Sequence, residues 1–104
     1  MQLSKRVQAA TGRDKDLDRS IADLLDHSAA GVPEYTGSVD ACIDLVHRVL
    51  PGWAWHVGYG PRGVLPYAAL SYGHARHEAS APTVPLALLA AMLEAKTEDQ
   101  DGAE

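Results

Sequence analysis

The chain has 104 residues, 46% of them apolar and 22% charged, an ordinary globular composition that excludes a disordered chain and gives one domain's worth of core. The net charge of −5 is uneven: Glu98, Asp99, Asp101 and Glu104 close the chain, leaving ten acids against nine bases before them. A nearly neutral body with no basic stripe argues against direct nucleic-acid binding and against nucleic-acid mimicry, and the pattern predicts one α+β domain over 1–97 with an acidic, disordered tail over 98–104.

Residues 2–11 read as a short helix, with Leu3, Val7 and Ala10 on one side and Gly12 placed to end it in the left-handed conformation. Leu17, Ile21, Leu24 and Leu25 give a second helix its apolar stripe; Asp18, Arg19, Asp23 and Asp26 fill the opposite side, and Asp14 or Asp16 caps the start. Residues 28–37 contain glycines and Pro33 and read as a linker or an extended segment. Ser38 caps a third helix with the stripe Val39, Cys42, Ile43, Val46, Val49 and Leu50, which Pro51-Gly52 stops. Cys42 lies within that stripe as a packed thiol. As the only cysteine, it excludes an internal disulfide and fits a reducing, cytoplasmic setting.

From Trp53 the period becomes two. Trp53, Trp55, Val57 and Tyr59 point one way, toward the core, and Ala54, His56 and Gly58 the other. Gly60 to Gly63 reads as a turn. Leu65 to Tyr72 follows as a strand apolar on both sides, with Pro66 at its start, as expected of a central strand covered twice. Gly73-His74 turns into a third strand, Ala75 to Ser80, which completes an antiparallel meander. The last helix runs from about Val84 to Lys96 with Thr83 as N-cap, Pro85 in its first turn and Leu86, Leu89, Ala90 and Leu93 buried. Its apolar run is too short to span a bilayer. The order is therefore α-α-α-β-β-β-α: a three-stranded antiparallel meander packed by helices, with an α/β/α sandwich as the two-sided version.

The residue patterns point to no catalytic, cofactor or metal site. His74 and His77 are an i, i+3 pair on a strand, which faces them apart, and the His-Glu-x-x-His spacing of a helical zinc site is missing. His27 and His47 stand near helix C-termini, where an imidazolium favours the dipole. His56 belongs to the small-residue face of the first strand. Gly58-Tyr59-Gly60 leads into a strand rather than a helix and lacks a phosphate-loop lysine. The expectation is a protein-binding domain rather than an enzyme. Its candidate contact residues are Tyr59, Arg62, Tyr72, His74 and Arg76, gathered at or beside the two hairpin turns at opposite ends of the meander.

Several segments resemble the phage ABA-sandwich domain family of phages and prophages: Ala9-Ala10-Thr11-Gly12-Arg13-Asp14 with Leu17-Asp18 and Ile21-Ala22, Tyr35-Thr36-Gly37-Ser38-Val39-Asp40-Ala41, Pro51-Gly52-Trp53-Ala54-Trp55, and Ala79 to Leu88. The chain is shorter than that family between Trp55 and Ala79. The resemblance implies an α/β/α layered domain and carries over no catalytic residue. In size and lack of an active site the chain is also similar to anti-CRISPR proteins, which implies a CRISPR-Cas effector subunit as protein partner. A phage structural or accessory role is the alternative.

Overall fold

The computed structural model describes residues 2–25, 31–60 and 65–102, with side chains described between Leu3 and Lys96 in those spans. In chain order come helices α1 (Gln2–Ala9) and α2 (Lys15–Leu25), a 3-10 turn at Tyr35–Gly37, helix α3 (Val39–Val49), strands β1 (Ala54–Tyr59), β2 (Pro66–Tyr72) and β3 (Ala75–Ser80), and helix α4 (Val84–Gly102). The strands form an antiparallel sheet in the order β1-β2-β3, so the α+β meander packed by helices is the observed fold.

The helix starts follow from capping. The Asp14 carboxylate accepts from the Leu17 amide at 3.0 Å, Ser38 Oγ accepts from the Ala41 amide at 3.1 Å and Thr83 Oγ1 from the Leu86 amide at 3.4 Å, each satisfying an amide that the first helical turn leaves free. The expected left-handed cap at Gly12 is absent. Helix α1 closes earlier, where the Ala10 amide is shared between the carbonyls of Arg6 and Val7 at 3.1 and 3.2 Å. Among the described residues the left-handed glycines are Gly52 (φ 88°), after α3, and Gly73 (φ 59°), in the β2–β3 turn. Helix α4 continues to Gly102, beyond the end expected near Lys96.

Helix α4 is the centre of the packing. Leu86, Ala87, Leu88, Leu89, Ala91, Met92, Leu93 and Ala95 are all buried, so its apolar surface extends around the helix rather than along the single stripe expected. A helix apolar on all sides is one enclosed by neighbours: β2 and β3 lie against one side, and α1, α3 and the 3-10 turn against another. The middle layer is therefore α4, not the sheet. The second covered face expected of a two-sided sandwich is open: His56, Arg76, Glu78 and Ser80 on it are all exposed.

Three further burial expectations are corrected. Leu24, assigned to the α2 stripe, is 60% exposed, because the turn and α1 cover α2 over Leu17, Ile21 and Ala22 instead. Asp18, assigned to the solvated side, is 2% exposed. Its Oδ1 accepts from the Thr36 amide at 2.7 Å and the Thr36 hydroxyl at 2.8 Å, and those bonds meet the requirement that a buried carboxylate be hydrogen-bonded. Trp55, assigned to the core, is 41% exposed, since α4 lies over β2 and β3 and scarcely reaches β1.

Candidate functional site: the uncovered face of the sheet

Residues paired across antiparallel strands share a face, so the register sorts the sheet into two sides. Trp55 pairs with Leu70 and Leu70 with His77; Val57 pairs with Ala68 and Ala68 with Ala79. These rows face α4. The outer face carries three other rows: Ala54, Ser71 and Arg76; His56, Ala69 and Glu78; Gly58, Tyr67 and Ser80. Each row changes character from β1 to β3. The β3 positions are charged or hydroxylic, the centre is small at Ala69 and Ser71, and the β1 side holds the imidazole of His56.

Tyr67 organises one end of this face. Its ring leans over Gly58, with Cε1 3.3 Å from where a Cβ there would stand, and lies 5.7 Å from the His56 ring centroid. A cross-strand aromatic covering a glycine compensates for the packing a glycine cannot provide in a strand. Beside it opens a groove of about 420 Å³ lined by Tyr59, Gly60, Leu65, Tyr67, Arg76, Glu78 and Ser80. The Gly60 amide donates to the Leu65 carbonyl at 2.8 Å and holds the hairpin end that forms one wall. Arg76 and Glu78 pair at 3.2 Å with side chains 61% and 52% exposed. At that exposure the ion pair contributes little to stability, which leaves both charges available to a partner.

The five sequence-derived candidates separate. Tyr59 and Arg76 come together in the groove. Tyr72 and His74 stand at the other end of the sheet: Tyr72 stacks on Trp53 with centroids 5.7 Å apart, on the α4 side, and His74 is exposed in the β2–β3 turn. Arg62 lies outside the described residues, as does His27. Sequence reasoning missed Tyr67, Leu65, Glu78 and Ser80. The signal for three of them was parity, since Tyr67 opposes Ser80, and Ser80, Glu78 and Arg76 alternate along β3.

Chemically the groove offers phenols, a guanidinium, a carboxylate and a hydroxyl, a set suited to hydrogen bonding and charge pairing. The cysteine is not part of it. Cys42 is buried among helices, its thiol donates to the Tyr35 carbonyl at 2.9 Å, and its pKa is pushed up to about 12, first by burial and then by the nearby Asp18 carboxylate. A thiol so disposed stays protonated and unreactive at neutral pH.

Among the described residues no helix is long and apolar enough to cross a membrane. No family model, curated protein or solved structure matches the chain.

Proposed function

We propose that the protein is a binding module that docks a protein partner on the uncovered face of its sheet, and that the partner is a subunit of a bacterial CRISPR-Cas effector complex. The observation that carries the docking surface is the groove itself: Tyr67, Arg76 and Glu78 of the uncovered face line it, with Tyr59 at its hairpin end, on a sheet whose other face is fixed by α4. Tyrosine and arginine are the side chains that contribute most when desolvated at interfaces. Three strands of this length cover about 14 by 20 Å, a few hundred Å². A standard interface needs about 800 Å² per partner, so the hairpin ends carrying Leu65 and His74 belong to the footprint.

The choice of partner rests on the resemblance to phage sandwich domains given by the quoted segments. Occupying a surface of an immune complex needs a rigid domain and no chemistry of its own. The test is expression of the chain in a host whose CRISPR-Cas system restricts a phage, combined with size-exclusion of the purified chain mixed with the effector complex. Restored plaquing together with co-elution supports the assignment. Continued restriction and separate elution across the effector types tested overturn it, and co-sedimentation with phage particles would assign the chain to a structural role.

A further inference from the structure

Strand β1 is an edge: it pairs with β2 on one side, and among the described residues no strand pairs with the other. Proteins guard such edges with charge, proline or bulges because unpaired amides and carbonyls template another strand. The opposite edge, β3, is guarded by Arg76 and Glu78. Strand β1, Ala-Trp-His-Val-Gly-Tyr, has no lysine, arginine, acid or proline. Two of its side chains on the α4 side, Trp55 and Tyr59, are 41% and 61% exposed.

We infer that β1 is a self-association strand, to which β1 of a second copy adds antiparallel about a two-fold axis through Val57, normal to the sheet, giving one continuous six-stranded sheet. The occupant follows from self-complementarity. An axis normal to the sheet keeps α4 of both copies on one side. Centred on Val57, it sets Trp55 opposite Tyr59 of the second copy and the reverse, so each exposed aromatic meets the other in a cross-strand pair. On the outer face His56 falls opposite Gly58 of the second copy, where that copy's Tyr67 ring already lies over the glycine, so the imidazole meets an aromatic ring rather than a charge. An isologous contact also brings like residues together, and here there are no like charges to oppose. Backbone pairing over one short strand plus four aromatic side chains sits at the low end of interface sizes, so the dimer is weak and concentration-dependent. Because Tyr59 also lines the groove, pairing fixes the rim of that groove in both copies.

Sedimentation equilibrium of the full chain from micromolar to millimolar concentration tests this, with circular dichroism confirming that each variant folds. The native chain shifts from monomer to dimer mass over that range. Trp55→Glu combined with Tyr59→Glu places like charges in both cross-strand pairs and weakens association by roughly tenfold or more. Trp55→Glu combined with Tyr59→Lys faces opposite charges across the axis and restores association relative to the like-charge chain. If the like-charge chain does not fold, Trp55→Gln with Tyr59→Gln gives the corresponding loss without added charge. A native chain that stays monomeric throughout overturns the inference. So does a like-charge variant that associates as the native chain does, or a charge-swapped chain that associates no better than it.

Discussion

Asp18 and Thr36, eighteen residues apart, share two hydrogen bonds through one carboxylate oxygen: the Thr36 amide and hydroxyl reach Asp18 Oδ1 at 2.7 and 2.8 Å, both residues buried. The Thr36 hydroxyl oxygen in turn accepts from the Asp14 amide at 2.7 Å. One side chain thus ties the 3-10 turn to the start of α2. Thr36→Val keeps the shape but removes the hydroxyl, leaving the carboxylate short of a donor and the Asp14 amide short of an acceptor. The expected cost is about 2 kcal/mol, a fall in melting temperature of roughly 10 °C, with Thr36→Ser close to the native chain. Thermal unfolding by circular dichroism measures it.

Cys42 couples stability to alkaline pH. A thiol in the unfolded chain releases its proton near its ordinary value of 9.0, whereas the folded chain holds it to about 12. The unfolded state therefore binds fewer protons in that window, and stability falls as pH rises through it. The contribution of this group is complete below pH 9 and lost by about 12, an effect of about 4 kcal/mol. Urea denaturation across that window is expected to show a steeper decline for the native chain than for Cys42→Ala. At neutral pH the thiol is expected to react with a disulfide reagent only as fast as the protein unfolds.

The two glycines Gly52 and Gly12 are expected to respond oppositely to alanine. Gly52 has φ 88°, and a Cβ there would stand 3.2 Å from the Tyr72 ring, so Gly52→Ala costs about 1–2 kcal/mol. Gly12 has open space around its Cα and no left-handed φ, so Gly12→Ala is neutral or stabilises by about 0.5 kcal/mol through the unfolded chain. Denaturant midpoints of the two variants distinguish them.

Much of the fold was legible because its signals were local. Ser38 and Thr83 announced helix starts, Gly73-His74 a tight turn, and the period of two from Trp53 the first strand. What escaped notice depended on tertiary placement. Tyr35 and Thr36, within a segment read as a linker, are buried at the junction of α2, α3 and α4, because a side-chain hydroxyl and a carboxylate found each other across eighteen residues. Apolar alternation showed that Trp53 and Trp55 share a face but not how far α4 would reach across it, so Trp53 is stacked and half-buried and Trp55 exposed. The same alternation was masked on β2, where alanines on both faces made a one-sided strand look covered twice. Tyr59 and Arg76 were singled out as turn residues at opposite ends of the sheet, and that both line one groove is a tertiary fact that the strand pattern does not carry.

The central claim, that the outer face of the sheet docks the partner, is tested most directly by inverting its charge without altering its fold. Arg76→Glu combined with Glu78→Lys conserves net charge and the local ion pair while reversing the sign pattern beside the groove. In the plaquing assay and in co-elution with the effector complex, the exchanged chain should fold as the native one does, fail to bind and leave the phage restricted. Binding and plaquing equal to those of the native chain would contradict the assignment of this face.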